Sequence, residues 1–136
     1  FQPYYVVEKT MEALNLHKKS LNGSKVLILG AAYKKDIDDM RESPSLKLIE
    51  IFREKGAIVS YNDPYVEKLP RTRKYQFDMS SVDLTEENLK NFDVVVLSTD
   101  HSNYDYKFIA ENAKIIIDSR NAFEKNNVIS KKIYKS

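Results

Sequence analysis

Cysteine is absent from this sequence of 136 residues, and glycine occurs only three times. Without cysteine the chain can form no disulfide bond, no thiolate metal site and no cysteine nucleophile of its own. With so little glycine it also lacks the Gly-x-Gly-x-x-Gly turn through which backbone amides approach a dinucleotide pyrophosphate. The composition therefore argues against thiol chemistry and against dinucleotide binding by this chain.

A strong charge imbalance and long apolar runs are missing as well. The 22 basic and 20 acidic side chains leave a net charge of +2, which gives no electrostatic footprint for nucleic acid. The apolar runs fall far short of the roughly 20 residues of a membrane-spanning helix. No secretory signal is visible at residues 1–8. We therefore expect a globular cytoplasmic domain with no membrane or nucleic-acid partner.

Four short apolar runs alternate with segments whose apolar residues have helical spacing. The runs predict strands at 25–29, 57–61, 94–97 and 114–118, and the intervening segments predict helices at 3–19, 44–55, 85–91 and 106–112. Ser43 and Pro44 are a typical helix start. The sequence therefore predicts an α/β fold, a small doubly wound and mainly parallel sheet of Rossmann-like type with an N-terminal helix, followed by a polar tail at 125–136.

The first predicted helix has one apolar stripe, formed by Val7, Met11 and Leu14. Tyr4, Tyr5 and Val6 widen the apolar surface beyond what a solvated helix needs. Two interpretations stay open: these residues pack on the domain's own sheet, or a neighbouring domain covers them. The chain begins at Phe1 rather than Met, so we expect it to be a piece of a longer protein.

Polar side chains follow the carboxyl ends of the predicted strands, where α/β sheets bind their ligands. They are Tyr33, Lys34, Asp63, Asp100, His101 and Arg120. By itself Asp63 is interpreted as a turn residue before Pro64. Asp100 and His101 are not expected to form an acid–base dyad, because adjacent side chains rarely face each other and no nucleophile is near.

Other kinds of site at this edge fit the sequence less well. The acids Asp36, Asp38, Asp39 and Glu42 lack the glycine and distal glutamate of an EF-hand, and ion pairs with neighbouring basic residues explain them better. A receiver-type domain needs paired acids after the first strand, and none are there. Lys34 and Arg120, with Tyr33, could clamp a phosphate. Spacing alone still favours surface ion pairs for both cations.

Two stretches carry a resemblance to a known family. They are Gly-Ala-Ala-Tyr-Lys-Lys-Asp-Ile-Asp-Asp-Met-Arg-Glu-Ser-Pro at 30–44 and Tyr-Asn-Asp-Pro at 61–64. This pattern closely resembles the C-terminal, UDP-binding domain of the UDP-glucose/GDP-mannose dehydrogenase family, and the similarity continues through 99–101 and 118–121. The resemblance implies that residues 1–22 end a helical connector from a central domain and that 23–136 form a UDP-sugar-binding domain.

The resemblance also implies an activity and a set of ligand contacts. Enzymes of this family oxidise the C6 alcohol of a nucleotide sugar to a carboxylate in two hydride transfers to NAD. Their N-terminal domain holds NAD, and a central helical segment builds a homodimer. The family's aromatic–lysine pair corresponds to Tyr33 and Lys34, and its strand-end arginine to Arg120, so these three are the implied contacts to the UDP-sugar. Arg41 and Ser43 resemble motif residues that fix the loop and cap the helix.

Within the family, Asp100 and His101 are similar to the N-acetylhexosamine branch, whereas UDP-glucose dehydrogenases tend to carry Glu-Trp there. Tyr33 points the same way, so the resemblance favours a UDP-N-acetylglucosamine or UDP-N-acetylmannosamine 6-dehydrogenase. The chain lacks the family's catalytic cysteine, NAD fingerprint and central Lys and Asn. We therefore expect it to bind part of a substrate and to hold no catalytic residue, metal or NAD. The rival hypothesis is a free-standing nucleotide- or protein-binding α/β regulatory domain.

Overall fold

The computed structural model describes residues 2–32, 35–36, 43–72 and 74–136. Strands and helices alternate along it as the apolar runs predict. The helices are α1 (Pro3–Leu16), α2 (Pro44–Glu54), α3 (Glu86–Asn91), α4 (Tyr106–Asn112) and α5 (Ala122–Lys125). The strands are β1 (Lys25–Leu29), β2 (Ile58–Asn62), β3 (Val94–Leu97), β4 (Ile116–Asp118) and β5 (Ile133–Lys135). The predicted α/β class is confirmed.

The strands described here form one parallel sheet in the order β2-β1-β3-β4-β5. After β1 the chain proceeds to one neighbour, β2, and it then returns to the other side of β1 to form β3. This reversal makes the carboxyl ends of β1 and β3 the topological switch point, where open α/β sheets form their ligand crevice. The predicted doubly wound arrangement is therefore present, and it fixes where a site should lie.

Alternate residues of the strands pack into two apolar layers, one on each face of the sheet. Val26 and Ile28 of β1 belong to the layer that contains α1 and α2. Leu27 and Leu29 belong to the layer that contains α3, α4 and α5. Because both faces are covered, the central strands read as unbroken apolar runs rather than as alternating ones.

Helix α1 packs differently from the predicted stripe. Val7 and Leu14 are buried as expected, but Met11 is 43% exposed, and the inner face is completed by Val6, Thr10 and Ala13. The interpretation that Tyr4, Tyr5 and Val6 pack on this domain's sheet is confirmed for Val6, which is buried in the core. It is wrong for Tyr4 and Tyr5, which are 58% and 46% exposed. None of the helices in the described part of the chain, of which α1 is one, is long and apolar enough to cross a bilayer.

The tail at 125–136 was predicted to be polar with scattered apolar residues, and no helix or strand was assigned to it. The structure places the edge strand β5 there, which pairs in parallel with β4, and the short helix α5 ends where the tail begins. Both elements are short, four and three residues, and the residues of β5 are half-buried or exposed. A strand of this length at a sheet edge has too few apolar residues to give a recognisable period.

Gly30, which follows β1, is held where no other residue fits well. Its φ is +90°, in the region that glycine favours, and a Cβ placed on it would lie 2.4 Å from Thr99 Cβ and 2.7 Å from the Thr99 backbone. The backbone of the turn after β1 therefore packs directly against the residue Thr99 after β3, with no side chain between them. This contact closes the base of the switch point.

The close approach predicts a large effect for Gly30→Ala. Gly23 has a similar φ of +86°, but a Cβ added to it would have no atom within 4 Å, so Gly23→Ala isolates the conformational penalty. We expect Gly23→Ala to lower the free energy of unfolding by about 1 to 2 kcal/mol. Gly30→Ala should lower it by roughly 2 kcal/mol more, because the methyl group also meets Thr99. Urea unfolding of both variants measures the difference, and equal losses would contradict the contact.

Candidate functional site

The turn from Gly30 to Ala32 leaves β1 with its backbone groups already bonded inside the domain. The Gly30 amide donates to the carbonyl of Asn62 at 2.8 Å. Three hydroxyl groups satisfy the carbonyls of the turn: Ser45 Oγ donates to Gly30 O at 2.8 Å, Ser43 Oγ to Ala31 O at 2.5 Å and Thr99 Oγ1 to Ala32 O at 2.6 Å. Buried backbone groups need such partners, so this turn is rigidly specified.

Asp63, the first residue after β2, provides the acceptor for the remaining amides of that turn. Its Oδ2 accepts from Ala31 N at 2.7 Å, from Ala32 N at 3.0 Å and from His101 Nε2 at 2.9 Å, and its Oδ1 accepts from Tyr65 N at 2.8 Å. Asp63 is buried. Burial alone would raise its pKa, but the hydrogen bonds from His101 and from the three amides hold the pKa below its usual value.

His101, just beyond β3, is completely buried and uses both ring nitrogens. The Asp36 amide donates to Nδ1 at 2.7 Å, and Nε2 lies 2.9 Å from Asp63 Oδ2. An amide can only donate, so Nδ1 must be unprotonated and the ring proton must sit on Nε2, which donates to Asp63. The rings of Tyr65 and Tyr104 contact the imidazole, with centroids 4.8 Å and 5.6 Å away.

Asp36 makes a second connection to the end of β3. Its carboxylate accepts from the Ser102 hydroxyl and from the Ser102 amide, both at 2.6 Å. These two hydrogen bonds lower the pKa of Asp36. Asp36 has a left-handed backbone, with φ of +64°, which aspartate tolerates better than most residues. The loop after β1 is therefore anchored again at Asp36.

Arg120 lies at the same edge of the sheet, two residues beyond β4. Its Nε donates to the carbonyl of Ser98, the residue next to Thr99, at 3.0 Å. The Asp118 carboxylate fixes its backbone by accepting from Arg120 N at 2.9 Å and from Phe123 N at 3.0 Å. The Arg120 side chain is thus held against the end of β3, close to the switch point.

A polar cleft of about 450 Å³ opens beside Arg120. Three cations line it, which are Arg120, Lys125 and Lys135, and Lys135 is paired with Glu124. Its other lining residues are Asp100, Asp118, Ser119, Asn121 and Ser136. Because Asp100 and Asp118 offset part of this positive charge, the cleft is polar and of mixed charge, which suits a polar ligand better than an apolar one.

The predicted site residues are distributed as follows. Arg120, His101 and Asp63 lie at the same edge of the sheet, as predicted, and His101 contacts Asp63 while Arg120 contacts Ser98. Tyr33 and Lys34 lie outside the described residues. The interpretation of Asp63 as a mere turn residue is wrong, because its carboxylate is the buried hydrogen-bond acceptor of the switch point. His101 pairs with Asp63 across the sheet and not with its neighbour Asp100.

Sequence reasoning placed Asp63 and His101 at this edge of the sheet but missed that they pair with each other and hold the site together. Asp63 and His101 are 38 positions apart, and only the strand register shows that they meet. The one signal was the Asp-Pro pair that ends β2, which a turn also explains. In the described part of the chain no three acidic, histidine or cysteine residues are grouped to hold a metal ion. Asp38, Asp39 and Glu42 lie outside that part.

Comparison with known proteins gives the family. The model of the "UDP-glucose/GDP-mannose dehydrogenase family, UDP binding domain" matches residues 27–125. The chain belongs to this family. A protein named UDP-N-acetyl-D-mannosamine dehydrogenase, from Methanococcus vannielii, is 32% identical over 91% of the chain. The chain covers 28% of that protein's length.

Solved structures agree with the family assignment. The UDP-D-ManNAc dehydrogenase of Pyrococcus horikoshii superposes with a TM-score of 0.75 at 28% identity, over 98% of this chain and 30% of that one. The NDP-N-acetyl-D-galactosaminuronic acid dehydrogenase of Methanosarcina mazei gives 0.77 at 31% identity, over 98% and 28%. The chain therefore corresponds to somewhat under a third of such proteins.

The family's nicotinamide cofactor does not fit the turn after β1 in this chain. A dinucleotide pyrophosphate is gripped by free backbone amides in that position. Here the amides of Ala31 and Ala32 already donate to Asp63, and this carboxylate occupies the place where an external anion would need to approach. The amides of Ala31 and Ala32 at the base of the switch point are thus not available to a pyrophosphate.

The buried carboxylate predicts an acid-sensitive stability. Because the folded-state pKa of Asp63 lies below its unfolded value, near 4, its contribution is present above that value and is lost as the pH falls through the folded pKa. Asp63→Asn should lower the free energy of unfolding at neutral pH by about 3 kcal/mol, since an amide replaces a charged acceptor. Urea unfolding at a series of pH values should show a shallower acid loss in the variant.

Asp83→Asn removes an exposed carboxylate and controls for the change of net charge. A loss of stability in acid that is as steep in Asp63→Asn as in the unsubstituted chain would show that Asp63 does not carry this dependence.

Proposed function

We propose that this chain is the UDP-sugar-binding domain of an NAD-dependent nucleotide-sugar 6-dehydrogenase. The observation that carries the proposal is the family match over residues 27–125, joined to an arginine held at the switch point of the sheet. In this proposal the full-length protein oxidises the C6 alcohol of the sugar to a carboxylate. Residues 1–22 end the connector from a central domain, and 23–136 bind the UDP-sugar.

Tyr33, Lys34 and Arg120 are the proposed substrate contacts. A guanidinium presents a planar fork of N–H donors that matches phosphate oxygens, and a lysine ammonium supplies a point charge. The geometry at the switch point supports this. Arg120 donates to the end of β3 at Ser98, and the neighbouring Thr99 holds the carbonyl of Ala32, directly before Tyr33. The segments that contain Lys34 and Arg120 therefore follow β1 and β4, the two strands that flank β3 in the sheet.

The chemistry of oxidation belongs to other parts of the protein. NAD, when bound, accepts the hydride, and we assign its binding to an N-terminal domain because the turn after β1 here has its amides bonded to Asp63. The sequence given contains no cysteine to attack an aldehyde intermediate. The contribution of this chain is to bind and orient the UDP-sugar, which stabilises one reactive geometry of the substrate.

The sugar, the assembly and the location complete the proposal. We propose a UDP-N-acetylhexosamine substrate, because the relatives above are named for N-acetylmannosamine and for an N-acetylgalactosamine derivative. A homodimer in the cytoplasm is proposed for the full-length protein. The rival hypothesis, a free-standing regulatory domain, has no comparable support, since the family match accounts for most of the chain.

The binding proposal is tested by titrating the chain with UDP and following its ¹H–¹⁵N NMR spectrum. We expect weak binding, because a domain that covers one side of the ligand leaves charged contacts screened by water. Lys34→Ala and Arg120→Ala should each weaken UDP binding about tenfold, since each removes one charge-assisted contact.

Lys55→Ala is the matched control. Lys55 is exposed at the end of α2, next to Gly56, which bonds to Gly23 near the opposite edge of the sheet. Its removal changes the net charge equally and should leave the UDP affinity unchanged. Spectra that do not change at roughly millimolar UDP, the weakest affinity considered, would overturn the binding proposal.

The substrate class is tested on the full-length protein with NAD and a series of UDP-sugars. We expect kcat/KM to be about tenfold or more higher for a UDP-N-acetylhexosamine than for UDP-glucose, because a site built to bond the N-acetyl group rejects a sugar that lacks it. Formation of NADH, followed by absorbance, measures the rates. Equal or higher kcat/KM for UDP-glucose would contradict the proposed sugar.

A further inference from the structure

The segment of residues 31–36 is anchored at its start and at its end, which the structure describes, and one side chain connects the two anchors. At its start, Ala31 N and Ala32 N donate to Asp63 Oδ2. At its end, the Asp36 amide donates to His101 Nδ1. The other ring nitrogen of His101 bonds to the same Asp63 oxygen that accepts from the start of the loop. His101 therefore fixes the distance between the two ends of the segment that contains Tyr33 and Lys34.

The two ring nitrogens of His101 have separable tasks. Nε2 contributes to the internal network around Asp63, while Nδ1 is the atom that contacts the loop. The imidazole ring is held in place because it is completely buried and contacts the rings of Tyr65 and Tyr104. The backbone of His101 is fixed as well, since its carbonyl accepts from the Tyr106 hydroxyl at 2.8 Å. Asp36 is thus held by a rigid buried acceptor at its amide, in addition to the exposed hydrogen bonds that its carboxylate accepts from Ser102.

We propose that His101 is a positioning residue for ligand binding, which acts through unprotonated Nδ1 on the Asp36 amide to hold the loop that carries Tyr33 and Lys34. This inference rests on the proposed function, because it assigns a task to a residue that does not touch the UDP-sugar. Losing the anchor leaves several loop residues to be ordered when the ligand binds, and that ordering is subtracted from the affinity.

Two substitutions separate the tasks of the ring nitrogens. In asparagine the amide oxygen is as many bonds from Cβ as Nδ1 is in histidine, so His101→Asn keeps an acceptor for the Asp36 amide and loses the contact to Asp63. In glutamine the amide nitrogen is as many bonds from Cβ as Nε2 is, so His101→Gln keeps a donor to Asp63 and loses the acceptor for Asp36. Both variants replace the same ring by an uncharged amide.

The experiment compares both variants with the unsubstituted chain in three measurements. The first is the ¹⁵N spectrum of the imidazole without ligand, which should show Nδ1 unprotonated and Nε2 protonated in the unsubstituted chain. The second is hydrogen exchange of the Asp36 amide, which should become about tenfold faster or more in His101→Gln and stay slow in His101→Asn. The third is UDP affinity, which should fall about tenfold in His101→Gln and less than about threefold in His101→Asn.

A merely structural role predicts a different pattern. The free energy of unfolding of each variant is measured alongside, and a structural role would make UDP affinity follow stability whichever nitrogen is lost. Equal affinities of the two variants, an unchanged Asp36 amide in His101→Gln or a protonated Nδ1 would overturn the inference while UDP binding persisted. An unsubstituted chain that binds no UDP would instead overturn the proposed function itself, and with it the task assigned to His101.

Discussion

A buried negative charge organises the functional edge of this domain. The Asp63 carboxylate would be expensive to desolvate by itself, yet it is stable because three amides and one imidazole donate to it. Those donors come from the turn after β1, the turn after β2 and the end of β3. The charge therefore joins three chain segments that are distant in sequence, and the position of each depends on the other two.

The same charge sets what the fold can bind. In a dinucleotide-binding domain the amides after the first strand are left for a pyrophosphate, so the ligand supplies the anion. In this chain the anion is the internal carboxylate of Asp63. The turn also has no room for a side chain at Gly30, because Gly30 already lies against Thr99. In the proposed function, a nucleotide diphosphate is instead recognised by side chains that extend beyond the turn, such as Arg120.

Sequence reasoning predicted the elements whose residues are buried along most of their length. The strands β1, β3 and β4 were found because strands covered on both faces are nearly pure apolar runs. The edge strand β2 was found as well, although its residues alternate between buried and more exposed positions. The strand β5 was missed because it has three partly exposed residues at an edge. On α1 the predicted stripe included Met11, which is 43% exposed, because helical spacing alone does not choose between adjacent faces of a helix with apolar residues on several sides.

The site, like the fold, has residues that the sequence could predict and residues that it could not, and the difference has a physical reason. Arg120 could be placed at the sheet edge from topology, because a residue just beyond a parallel strand has little freedom of position. The pairing of Asp63 with His101 could not be, since it depends on register and on which ring nitrogen carries the proton. Residues that contact a ligand belong to local motifs that a sequence displays. Residues that hold those motifs in position bond to backbone amides elsewhere in the chain. Because every residue except proline has such an amide, the residue type of the partner gives no sign of the hydrogen bond.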